Sequence, residues 1–264
     1  MTGARWPVLV LAALVAAAIA APIVAPYAPD QLDLAHRRDK PSLEHWFGTD
    51  ELGRDVLARV LYGARVSLAV GLLSAAVAGA SGTAIGGIAG YAGGSLDNIL
   101  MRATDAMLAV PRLPLLMIAA AVFQPSVPQL VLLIGLASWM ETARVARAEL
   151  LSLRSRDFVG AARALGAGHA RLILAHLLPN AAPAVTVSMT LAVGRSILLE
   201  SAISFFGVGV QPPASSWGNM LYQAQSALAT EPWLALFPGL FIFATTLSVN
   251  LAGERLATAA HRGP

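Results

Sequence analysis

Three long stretches of this chain carry no charge: Trp6 to Pro29, Val66 to Leu96 and Leu113 to Met140. Each is at least as long as the roughly 20 apolar residues that a helix needs to cross a bilayer. Two further apolar segments follow, broken only by Arg195 and Glu200. The pattern predicts six spanning helices, near Pro7–Ala25, Ser67–Ala89, Ala106–Phe123, Gln129–Ala143, Ala184–Phe206 and Trp233–Leu251. The expected fold class is all-α, a polytopic membrane protein with about six transmembrane helices. In the second span Gly82, Gly86 and Gly90 recur every four residues and share one helix face, which lets another helix approach closely. Ahead of it, Leu52, Val56, Val60 and Leu61 fall on one side of Glu51–Leu68, while Arg54, Asp55 and Arg59 face elsewhere. That stretch reads either as an amphipathic helix on the outer surface or as an extension of the second span.

Composition agrees with the pattern. Only 12% of the 264 residues are charged, and mean hydropathy is +0.66. A soluble domain carries about a quarter of its residues as charge. A net charge of +3 would suit nucleic acid, but basic residues beside spans mark the cytoplasmic side, and no nucleic-acid partner is expected. The absence of cysteine excludes disulfides, thiol catalysis and thiolate metal sites. Arg5, an apolar core and small residues give the first span the look of a signal peptide, but its apolar length fits an uncleaved anchor better.

The arginines set the orientation. Residues 144–182 hold Arg144, Arg147, Arg154, Arg156, Arg163 and Arg171, whereas 124–128 and 207–232 hold neither Lys nor Arg. The positive-inside rule then places 144–182 and both termini in the cytoplasm. Loop 26–65 falls outside; its six basic residues are matched by seven acidic ones.

Within the cytoplasmic segment, Asp157 can cap a helix starting at Phe158, and Gly166 with Gly168 offers a break. A second helix from His169 is expected to end near Leu178, because Pro179 cannot continue it. Ala161, Ala162 and Ala164 leave a low-relief surface suited to a docking protein; a solvated hairpin would read the same way.

Residues 160–179 also resemble the EAA loop of ABC importer permeases, in which Glu-Ala-Ala is followed by Gly and then Ile-x-Leu-Pro at fixed spacing. Here Gly160-Ala161-Ala162, Gly166, His176 and Leu178-Pro179 take those places. Gly160 replaces the usual Glu, and His176 replaces Ile, as in the peptide-importer branch. "HWFGTDELGRDVLARVLYGARVSLAVG" (45–71), "GYAGGSLDNILMRATDAMLAVP" (90–111), "SFFGVGVQPPASSWGNML" (204–221) and "PWLALFPGLFIFATTLSVNLAGERL" (232–256) are similar to permeases of the dipeptide, oligopeptide and nickel group, second or C-type subunit. The tail "ATAAHRGP" departs from the Asp-Pro-Arg ending common there.

The resemblance implies a type I, binding-protein-dependent permease fold. It divides the chain into an anchor (1–26), an extracytoplasmic loop (27–65), a permease core (66–256) containing the coupling loop 146–182, and a tail (257–264). It further implies a B-type partner permease, two cytoplasmic ATP-binding subunits that hold ATP and Mg, an extracytoplasmic solute-binding protein and surrounding lipid. The cargo it implies is a di- or oligopeptide, with a nickel chelate or a glutathione-like molecule as alternatives. This chain needs no cofactor or metal and has no catalytic residue: its one lysine, Lys40 in "RRDKPS", follows no phosphate-binding turn.

Charges within or beside spans are the other candidates. Arg195 and Glu200 either line the translocation path or pair with a partner permease; five residues set them roughly 140° apart, so they do not pair with each other. Arg112 is expected to snorkel to the interface. Asp50, Glu51, Arg54 and Asp55 either contact the binding protein or pair internally. Asp97 and Asp105, beside Arg102, form a second cytoplasmic contact or a local charge cluster. Gln211-Pro212-Pro213 and Trp217-Gly218-Asn219 read as a rigid turn at the mouth of the path. Two other classes fit the sequence less well. Gly79-Ala80-Ser81-Gly82 matches an intramembrane serine-protease element, but His36, His45, His169, His176 and His261 all lie outside the spans, leaving Ser81 without a base. A stand-alone secondary transporter usually carries an internal repeat, and none is visible.

Overall fold

The computed structural model describes residues 6–260. Arg5, His261 and the end of the expected tail lie outside them. The described residues form helices joined by turns and by one long loop between Val24 and Val56, with one isolated backbone bridge between Thr49 and Asp55. Four helices are long and apolar enough to cross a membrane: Trp6–Val24, Val56–Ala92, His169–Phe205 and Trp233–Thr258. A bent pair supplies a fifth candidate.

The first helix, α1 (Trp6–Val24), is followed by the folded outer loop. Helix α2 (Val56–Ala92) then runs unbroken for 37 residues, so the stretch before the second span is an extension of it, and residues 51–54 form turns instead of a surface helix. Asp55 sets the start, its side chain accepting the Ala58 N–H at 2.7 Å.

Two expected spans are broken. The third divides into α3 (Gly94–Ala109) and α4 (Arg112–Phe123), bent by 79°. Pro111 is the cause: its ring disfavours helical geometry in the preceding residue, and Val110 is extended at φ −76°, ψ 127°. The fourth divides into α5 (Val127–Leu136) and α6 (Met140–Leu153). Ten residues of α5 reach only about 15 Å, half a hydrocarbon core. The helix closes where the Ser138 N–H turns back to the Gly135 carbonyl at 3.0 Å.

The glycine stripe of α2 faces α6. A Cβ on Gly82 would stand 2.5 Å from the Trp139 carbonyl oxygen, one on Gly90 2.6 Å from that of Arg147, and one on Gly86 would collide with the Ala143 carbonyl. Backbone cannot move aside as a side-chain tip can. Gly86→Val should therefore cost about 3 kcal/mol, the upper end for overpacking, and lower the unfolding midpoint of the solubilised protein; an unchanged midpoint would show that the two helices are not held this closely.

The fifth span corrects an expectation. After α7 (Asp157–Ala164) and the single turn α8 (His169–Arg171), residues Leu172–Leu177 form a π-helix that leads directly into α9 (Leu178–Phe205). The helix thus passes through Pro179 and Pro183 instead of ending near Leu178. A proline ring normally strikes the carbonyl one turn behind it. Here the wider turn makes room, with the Leu178 N–H bonding five residues back to Ile173.

Helices α10 (Trp217–Ala224) and α11 (Trp233–Ala260) complete the chain. Trp217 is fully buried among Val60, Ala64, Ile197 and Ile242, and its indole N–H donates to the Val60 carbonyl at 3.1 Å. Leu9, Ile19 and Ile23 of α1, Ile118 and Val122 of α4, and Phe243 of α11 point outward, as suits a molecule whose solvent is hydrocarbon.

Candidate functional site

Three groups of residues carry chemistry. The first is the elbow between α6 and α9. Arg156, one residue before the expected Asp157, holds the N-cap position of α7 without a capping side-chain bond, and Asp157 lies in the first turn. The helix closes in a Schellman motif: the Gly166 N–H donates to the Arg163 carbonyl at 2.9 Å and the Ala167 N–H to that of Ala162 at 3.0 Å. The motif needs a left-handed residue, and Gly166 supplies it at φ +85°. Val159, Leu172 and Leu177 seat the elbow on Leu150 and Ala181. Its outer side is open: Leu165 is 89% exposed, Leu174 also stands clear, and a side chain at Gly160 would meet nothing within 4 Å. Ala161 and Pro179 lie on this open side, while Ala162, His176 and Leu178 are half-buried.

Two contacts missed in the sequence tie the elbow to the end of α2. The Arg154 guanidinium donates to the Tyr91 carbonyl at 3.2 Å, and the Tyr91 hydroxyl meets His169 Nδ1 at 2.5 Å. On the same side Asp97 of α3 takes Arg147 of α6 at 2.5 Å and Asp105 pairs with Arg144, so the acidic residues of α3 form ion pairs within the chain.

The second group lies midway along the spans. Glu141, at the start of α6, holds Arg112 through Oε1 (3.1 Å) and Arg195 through Oε2 (2.9 Å). Arg112 therefore turns to protein and does not snorkel. Glu141 and Arg195 border two open grooves, one of about 550 Å³ along the α3–α4 bend and one of about 490 Å³ between α6 and α9. Glu200, expected to line the path or to pair with a partner permease, is fully buried within the chain. Its carboxyl group accepts from Ser67 (3.2 Å), Ser204 (2.8 Å) and Ser201 (3.4 Å), which turns it toward α2 and the outer loop. Those hydroxyls in turn accept the backbone N–H groups of Trp217 and Val210.

The third group is the outer loop. Asp50, Arg54 and Asp55, for which contact with a binding protein or internal pairing was expected, pair internally. Asp50 accepts from Arg54 (2.7 Å) and Arg59 (2.5 Å), Asp55 takes His45 Nδ1 at 2.9 Å, and Arg54 reaches Gln223 of α10. At the exposed rim, a hydrogen bond between Asp33 and His36 holds the carboxyl below its usual range and the imidazole above its own.

Residues 82–262 match the model of the binding-protein-dependent transport system inner membrane component family. The chain belongs to that family. The permease is 42% identical over 236 residues to a peptide permease protein of Brucella suis, covering 89% of this chain and 78% of the relative. It is 39% identical to a dipeptide transport system permease protein of Alkalihalophilus pseudofirmus, over 85% of this chain and 74% of the relative. With a glutathione transport system permease protein of Escherichia coli it shares 37% identity over 98% of its own length and 84% of the relative. It is accordingly a membrane-embedded subunit of an ABC importer, and such permeases work with partner subunits. The signal that could have found Glu141 was its position at the end of the charge-free run 113–140 and inside the fourth expected span, where an acid requires a basic partner.

Proposed function

We propose that this permease forms half of the path by which di- or oligopeptides are imported across a bacterial cytoplasmic membrane. It pairs there with a second, B-type permease and is itself non-catalytic. Two cytoplasmic ATP-binding subunits hold ATP and Mg and hydrolyse the nucleotide, and a solute-binding protein delivers cargo outside. Both termini and the elbow lie in the cytoplasm. The single observation behind this reading is the elbow itself: a short helix with an apolar underside, an open notch at Gly160 and exposed Leu165 and Leu174, joined by Gly166 to the helix of the fifth span. The named peptide and dipeptide relatives support the cargo class. A glutathione-like tripeptide is the second reading, favoured by the relative aligned over nearly the whole chain.

Reconstitution tests it. Proteoliposomes holding the permease pair, the ATP-binding subunits and the binding protein should accumulate labelled peptide only when ATP is present. Accumulation by this chain alone, without ATP or partners, would overturn the proposal.

A further inference from the structure

One carboxylate serving two guanidinium groups leaves a positive charge in excess. At Glu141 the count is two cations to one anion, whereas the nearby pairs Arg147–Asp97 and Arg144–Asp105 are one to one. The surplus is reachable, since the Arg195 side chain is 41% exposed. It also sits where the two grooves meet, both being bordered by Glu141 and Arg195. Each groove lies in the usual size range of small-ligand sites. Both walls are largely apolar, with Met107, Leu113 and Leu198 in the first groove and Val145, Val187 and Leu191 in the second. Glu149 stands two turns from Glu141, about 12 Å along α6, so the excess positive charge is local to the arginines.

We infer that Arg112 and Arg195 form a binding site for the terminal carboxylate of the transported peptide, which displaces Glu141 from Arg195 as it passes. This inference rests on the peptide reading above. The physical basis is an even exchange. A carboxylate held by a guanidinium makes short, charge-assisted hydrogen bonds, and an incoming one of the same chemistry recovers what the departing Glu141 gives up. Capture is thus selective for the anion yet weak overall, as a site on a transport route must be if cargo is to leave it. The apolar grooves beside the arginines take the side chains without reading their shape.

The test uses the complete importer in proteoliposomes with trialanine and trialanine amide. Occupancy of the binding protein is measured separately and matched, so that only the permease differs. Wild type should favour the free acid. Arg195→Gln should lower that preference about tenfold, the worth of one charge-assisted contact. Arg195→Lys should restore part of it, and Glu141→Gln, which frees both guanidinium groups, should raise it. Equal loss of both peptides in Arg195→Gln, with no change of preference in Glu141→Gln, would overturn the site and leave peptide import standing. No uptake of either peptide by the wild-type importer would overturn the peptide reading, and the site with it.

Discussion

Gly166→Val is expected to stop solute uptake while the protein still inserts and assembles. At φ +85° a β-branched side chain strikes its own backbone, and the cost is about 2 kcal/mol before any neighbour is considered. Space is not the issue, since a Cβ there meets nothing within 4 Å. The penalty therefore falls on the turn alone. Relieving it breaks the bonds from Gly166 to Arg163 and from Ala167 to Ala162, and α7 leaves its seat above Leu172 and Leu177. Because the change is confined to the elbow, the spans should be unaffected. The measurement is paired: peptide uptake and ATP hydrolysis in the reconstituted importer, with Gly166→Asn as a control that tolerates the left-handed turn. Normal uptake by the valine variant would remove the elbow from the coupling mechanism.

Glu200→Ala should destabilise the spans at least as much as Gly86→Val. Three serine hydroxyls lose their acceptor at once, and a fully buried side chain leaves a void. Unsatisfied buried groups cost about 1–3 kcal/mol each, so a total of about 3 kcal/mol is a conservative sum. The unfolding midpoint should then drop by roughly 10 °C. The outer segment should loosen as well, because Trp217 and Val210 are held through Ser67 and Ser204. Faster amide exchange at 207–217 in the variant checks this second effect, and wild-type exchange there would refute the link.

The sequence made the helical class and the glycine stripe readable because both are periodic, and periodicity is local. The break at Gly166 was readable because a glycine turn is also a local signal. What escaped were pairings between distant positions. Glu141 lies 29 residues from Arg112 and 54 from Arg195, and no spacing rule joins them. The inward turn of Glu200 depended on Ser67, more than a hundred residues earlier. Pro179 misled for a different reason. The rule that proline ends a helix assumes ordinary α-turns, and a π-helix suspends it without leaving a mark in the sequence.

That π-helix has a mechanical consequence. Had the chain stopped at Pro179, a push on His169 would have been lost in a flexible joint. Because His169–Phe205 is continuous over 37 residues, it acts as a lever about 55 Å long, and a swing of roughly 5° at its lower end carries the upper tip some 5 Å sideways.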